Sequence, residues 1–222
     1  LNISNADFLA GRNNFFKDGA IVFILNQGNI IIRNGGYVCL LSQGLENRGL
    51  IQADLGTVVL ASGEAMTLAL DDLQEISVVI SEPVKGKVLD FEGKKVDSAI
   101  KNSGSIAANG GKVILSAKVL NNVFDYAINN SGVIEAKSLV NHNGVVELIA
   151  EGSGVFNRGQ IITDGTLRSP DGGRVAIKAA VVLQQGTISA NAQEKGSAGE
   201  ILIASSASTC LDTSSTTEAK AL

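Results

Sequence analysis

The chain has no Trp, 2 Pro, 2 Cys, 1 His and only 9 aromatic residues counting Phe and Tyr. Each shortage removes a class of protein. Two cysteines, Cys39 and Cys210, set far apart in the sequence, cannot form the framework of a small disulfide-stapled domain. A lone His142 between Asn141 and Asn143, with no Cys or second His beside it, reads as a solvated turn residue rather than a metal ligand. No basic stripe interleaved with aromatics is present, and a formal charge of -4 gives no long-range attraction to phosphate, so nucleic acid is not an expected partner. No apolar run approaches the roughly 20 residues of a membrane-spanning helix, and residues 1–8 lack a charged leader followed by an apolar stretch, so neither membrane insertion nor an export signal is expected. The chain opens on Leu1, as a piece of a longer chain would.

What the sequence has in plenty is Gly, 25 of 222 residues, and it is placed periodically. An Asn-x-Gly triplet recurs at Asn26 to Gly28, Asn47 to Gly49, Asn102 to Gly104, Asn130 to Gly132 and Asn157 to Gly159, and Gln184-Gln185-Gly186 is a weakened sixth copy. The intervals are 21, 55, 28, 27 and 27 residues. One period with one long interruption accounts for all of them. Between triplets lie Gly-led segments such as Gly111-Lys112-Val113-Ile114-Leu115, Gly144-Val145-Val146-Glu147-Leu148 and Gly173-Arg174-Val175-Ala176-Ile177. Their first and third apolar positions are always Val, Ile or Leu, whereas the position between accepts Cys39, Val59, Ile114, Glu147, Ala176 or Leu202. Period-two alternation therefore turns the constant pair inward and the tolerant position outward, and Glu147 fixes the sense.

A coil of some 20 to 28 residues with short strands cannot bury its apolar face alone, but it can when stacked on copies of itself. The expected fold class is all-β: a single-stranded parallel β-helix, a solenoid whose strands lie about 4.8 Å apart along the axis. In this reading Asn26, Asn47, Asn102, Asn130 and Asn157 share side-chain amides from coil to coil as a ladder, and Gly28, Gly49, Gly104, Gly132 and Gly159 supply positive φ at the third turn position. Both sets are architectural. With six or more coils between them, Cys39 and Cys210 are too distant for a disulfide.

The period lapses between Gly63 and Ile100. Residues 65–70 and 76–80 suit two strands of a hairpin joined by the acidic turn Asp71-Asp72-Leu73-Gln74-Glu75, and residues 82–95 read as a solvated loop. This excursion, at about 65–95, reads first as a hairpin that merely covers part of the coil and, as the alternative, as a candidate binding element through Asp71, Asp72 and Glu75, although no calcium-loop spacing accompanies those acids and neither metal nor cofactor is expected. Residues 1–204 are assigned to the β-helix with its excursion. Residues 205–222, rich in Ser and Thr, are assigned to a frayed tail or linker.

The stretch from Ile3 to Gly11, followed by Phe15-Phe16-Lys17-Asp18-Gly19, the coils at residues 24–30, 35–38 and 55–61, and the acidic excursion at Asp71-Asp72 together resemble the later part of the secretion domain of filamentous haemagglutinin-like exoproteins of bacterial two-partner systems. The resemblance is specific over about the first half of the chain. It implies a right-handed β-helix, secreted to the bacterial cell surface through an outer-membrane transporter partner and used as a stalk or adhesin. The family's amino-terminal cap and its Asn-Pro-Asn-Gly-type signature have no match, since the only prolines are Pro83 and Pro170.

Three functions are weighed on this basis. The first is a non-catalytic shaft of a haemagglutinin-like adhesin. The second is a binding module that uses the 65–95 excursion for a glycan or a host protein; an aromatic platform is not expected, because Tyr37, Tyr126, Phe124 and Phe156 fall in different coils. The third, a polysaccharide lyase or hydrolase, needs paired carboxylates on adjacent coils, and the counterparts of Glu147 are Ile114 and Ala176, with Arg158 and Arg174 isolated. The chain is therefore not expected to be an enzyme.

Overall fold

A computed structural model describes residues 1–19, 22–70 and 76–221. From Phe23 onward the chain winds as a parallel β-helix of seven rungs and three faces. Face one begins with Phe23–Asn26 and continues through Gly44–Asn47, Ser98–Asn102, Tyr126–Asn130 and Val155–Asn157. Face two stacks Asn29–Ile31, Leu50–Gln52, Ser105–Ala107, Val133–Glu135, Gln160–Ile162, Thr187–Ser189 and Thr216–Glu218. Face three stacks Tyr37–Ser42, Thr57–Ser62, Lys112–Lys118 and Val145–Glu151. The long strands Arg174–Gln184 and Glu200–Leu211 run from face three round the corner into face one, so these two faces join in one sheet.

Register is kept residue by residue, because a slip of one would turn every apolar side chain outward. On face two Ile30, Ile51, Ile106, Ile134, Ile161 and Ile188 lie over one another. On face three Val58, Val113, Val146 and Val175 form one column, and Leu60, Leu115, Leu148 and Ile177 another. Leu45, Ile100, Ile128, Val155 and Val182 complete the interior from face one. These columns are buried from the second rung to the fifth or sixth and form one continuous core. Small residues turn the corner after face two, where Ala53, Ala108, Ala136 and Ala190 are all buried.

The excursion leaves the coil after the second rung. Ala65–Leu70 and Ile76–Glu82 pair antiparallel and lie over the outer side of face three. They bury the outward residues Val59, Ala61 and Ile114 beneath Met66, Ile76 and Ile80, giving a second apolar layer outside the coil. This explains the tolerant strand position. Val59 and Ile114 are apolar because they are covered, whereas Glu147, one rung further on, lies 3.1 Å from Lys112. Residues 71–75, and with them Asp71, Asp72 and Glu75, lie outside the described residues.

Three expectations are corrected. The first residues do not wind: Ser4 caps a short helix, Asn5–Leu9, and Asn14–Phe16 adds a third antiparallel strand to the hairpin. Glu64 ties this segment down, since its backbone carbonyl accepts from the Lys17 N–H and its carboxylate meets Lys17 Nζ and the Lys85 N–H. Residues 82–95 are not simply a solvated loop. Val84 and Val88 are fully buried, and Val84 bridges in parallel to Val119. Residues 205–218, finally, are no frayed tail. Ser205, Ser208, Thr209 and Cys210 continue a strand paired with Arg174–Gln184, and Thr216–Glu218 is the last strand of face two. Small hydroxylated side chains hid this rung from the sequence, because the preceding rung supplies its pairing through the backbone.

Candidate functional site

The five asparagines of the triplets stand in one line at the corner between faces one and two. Asn26 Nδ2 donates to Asn47 Oδ1, Asn47 to Asn102, Asn102 to Asn130 and Asn130 to Asn157, each at 2.8 Å. Asn157 donates to Gln184 Oε1 at the same distance, and Gln184 Nε2 turns back to the Gly186 carbonyl at 2.9 Å. The second N–H of the interior amides reaches the adjoining backbone, as from Asn47 to the Ser105 carbonyl at 3.3 Å. Asn47, Asn102, Asn130 and Asn157 are completely buried, and both the Nδ2 and the Oδ1 of each are hydrogen-bonded where no partner could come from water. At the next rung the position is Leu211, and the ladder stops.

The glycines beside the ladder are there for a different reason from the one expected. None of Gly28, Gly49, Gly104, Gly132 and Gly159 has positive φ. Instead, a Cβ at Gly49, Gly104, Gly132 or Gly159 would lie 2.0 to 2.2 Å from the carbonyl oxygen of the preceding glycine in the column. Close approach of successive backbones demands the missing side chain, while Gly28, on the first rung, faces open space.

The outer side of face one carries a cluster that sequence reasoning missed. Tyr126 and Phe156, thirty positions apart in the chain, belong to adjacent rungs, and their rings meet at 5.1 Å between centroids, tilted by 40°. Arg158 lies over the Phe156 ring at 5.3 Å. Phe124, by contrast, is buried, and Tyr37 lies on the first rung of face three, so only two of the four aromatics come together. The signal was available: once the 27-residue period is known, Phe156 falls opposite Asn129 and one rung from Tyr126.

Asn129, on this outer side between Lys101 and Phe156, is 3% exposed, and its Oδ1 is buried without a hydrogen-bond partner. Such a group ordinarily costs about 1–3 kcal/mol. Toward the second rung the same strip becomes charged. Arg48 donates to Glu46 at 2.9 Å, which holds its guanidinium pKa above the usual value, and Lys101 lies 3.8 Å from Glu46 and 3.9 Å from Asp97. These residues line a groove of about 170 Å³ under the 90–97 segment.

The remaining candidates stay apart. His142 is exposed in the turn closed by the Leu139 to His142 bridge. Cys39 and Cys210 are both free; burial at the edge of the hairpin pushes the Cys39 thiol up to about 11, while Cys210 is exposed on the last rung. Among the described residues no group of three His, Cys, Asp or Glu is placed to hold a metal ion.

No protein-family model matches the chain. Over 112 residues it is 36% identical to the heme/hemopexin-binding protein of Haemophilus influenzae, a match that takes in 49% of this chain and 11% of that protein. Its fold is similar to that in the crystal structure of the HMW1 secretion domain from Haemophilus influenzae, with a TM-score of 0.76 and 23% identity over 98% of this chain and 56% of that one. The chain thus spans a small part of the first and about half of the second. The resemblance read from the residues is met again in the fold, which is similar to that of a solved bacterial secretion domain. No helix among the described residues is long and apolar enough to cross a membrane.

Proposed function

We propose that this segment of a secreted exoprotein is a non-catalytic length of adhesin shaft, whose stacked rungs hold a distal binding region away from the cell. The observation that carries the reading is the unbroken amide ladder from Asn26 to Gln184 beside a continuous apolar core. Each rung takes its pairing, its buried surface and one side-chain hydrogen bond from the rung before it, so the chain folds rung by rung as it emerges from an outer-membrane transporter. Neighbour templating of this kind needs no energy source outside the cell.

Other features support the same reading. Glu147 stands between Ile114 and Ala176 in its column and is paired with Lys112, which leaves it without the second carboxyl that glycoside hydrolysis uses. The excursion, the alternative binding element for a glycan or host protein, serves as a cover: without it Val59, Ala61 and Ile114 would be an exposed apolar patch. Heme and hemopexin are named for a relative of which only 11% is matched, and the shaft reading assigns neither to this segment.

Removing residues 160–186 from the full-length exoprotein tests the proposal, since Gln160 and Thr187 are register partners and the cut takes out one whole rung. A shaft stays folded and exported, shortened by about 4.8 Å, with bacterial adhesion retained. Adhesion lost while export and folding persist would overturn the shaft reading.

A further inference from the structure

Outside the ladder and the hairpin, one surface has groups whose bonding capacity the protein itself leaves unused. Arg158 is exposed with its guanidinium carbon over the Phe156 ring at 5.3 Å, and its guanidinium enters no ion pair and no side-chain hydrogen bond among the described residues. The ring contact positions the guanidinium and uses none of its N–H groups. A guanidinium held in place in this way is suited to a planar carboxylate, which it can meet with two parallel hydrogen bonds. One rung back lies Asn129, whose buried Oδ1 has no partner and accepts a hydroxyl. Between them the tilted pair of Tyr126 and Phe156 offers apolar ring surface of the kind on which the C–H face of a pyranose packs. Lys101 follows on the next rung, with its two carboxylate neighbours no closer than 3.8 Å.

We propose that this outer strip of face one, over the third to fifth rungs, binds an oligosaccharide that carries carboxylates. The chain of sugars lies along the helix axis. Successive rungs present Lys101, Asn129 and Phe156 at register positions about 4.8 Å apart, a step comparable to the advance of one pyranose in an extended chain. Arg158 receives a carboxylate, the Tyr126 and Phe156 rings pack against a sugar face, and Asn129 Oδ1 accepts a hydroxyl after the side chains that bury it move aside. An unbranched polyglutamate would satisfy Arg158, and its backbone N–H would suit Asn129 Oδ1, but it has no pyranose face for the rings, which favours the saccharide. The groove beside Arg48 and Glu46 continues the strip toward the second rung. This site is separate from the shaft role and does not rest on it.

The test is calorimetric titration of the full chain with a hyaluronan tetrasaccharide, its carboxyl-reduced neutral counterpart and a short polyglutamate. The acidic sugar is expected to bind at least about 10-fold more tightly than either of the others. Arg158→Ala should weaken it about 10- to 100-fold, and Arg158→Lys should recover only a small part, because an ammonium neither stacks nor forks. Asn129→Leu should weaken binding while leaving the melting temperature unchanged or raised, since it removes an unpartnered oxygen. Equal affinity for the acidic and neutral sugars, binding of neither at millimolar concentration, polyglutamate binding as tight as the sugar, or unaltered affinity in the Arg158→Ala or Asn129→Leu variant would each overturn the proposal.

Discussion

The inside of the coil and the apolar layer outside it, under the hairpin, are built from similar side chains but held in different ways. Inside, Ile51, Ile106, Ile134 and Ile161 each touch a copy of themselves above and below, and the adjacent amide ladder fixes their register. Outside, Val59, Ala61 and Ile114 meet Met66, Ile76 and Ile80, an arrangement that occurs once and has no ladder beside it. Repetition makes the interior cooperative from rung to rung, whereas the hairpin is a single cover that can open by itself.

The sharpest way to break this contrast is at the glycine column. Gly104→Ala puts a Cβ 2.2 Å from the Gly49 carbonyl oxygen and 2.6 Å from the Arg48 carbonyl carbon, backbone atoms of the preceding rung rather than a flexible side chain that could yield. It should cost about 4 kcal/mol or more and lower the stability of the whole coil, as read by urea unfolding. A loss below about 1 kcal/mol would mean that the rungs are not packed backbone against backbone.

Met66→Ala acts on the outer layer instead. Met66 is 1% exposed, so truncation should cost about 2–4 kcal/mol, but hydrogen exchange should show the loss confined to the strands Ala65–Leu70, Ile76–Glu82 and Asn14–Phe16. Equal loss of protection in the ladder rungs would show that hairpin and coil unfold as one unit.

The smallest effect is expected at the end of the ladder. Leu211, opposite Gln184, is 56% exposed, so Leu211→Asn removes little buried surface and offers the Gln184 amide a further acceptor. A gain of about 0.5–1 kcal/mol in the same urea measurement would show that the ladder extends wherever an amide is supplied.

What could be read from the sequence follows the same division. Asn26, Asn47, Asn102, Asn130 and Asn157 were legible because each rung restates the others, and a signal given five times outweighs local noise. The glycines were found but for the wrong reason, since positive φ and close backbone approach call for the same residue and only the distance to Gly28 or Gly49 separates them. Ser205, Ser208 and Thr209 gave no sign of a strand, because their pairing partner supplies what their side chains lack. Of the candidate site, the proximity of Tyr126 to Phe156 needed the period to be turned into space, and the unpartnered oxygen of Asn129 is a property of packing that no pattern of residue types reveals.

The most direct measurement is hydrogen exchange at the asparagine side chains, followed by NMR on the full chain uniformly labelled with ¹⁵N. Stacked rungs joined by buried amides require the Nδ2 protons of Asn47, Asn102, Asn130 and Asn157 to exchange as slowly as the backbone amides of the central face-two strands. Exchange of these four at the rate of the exposed Asn141 would contradict the account.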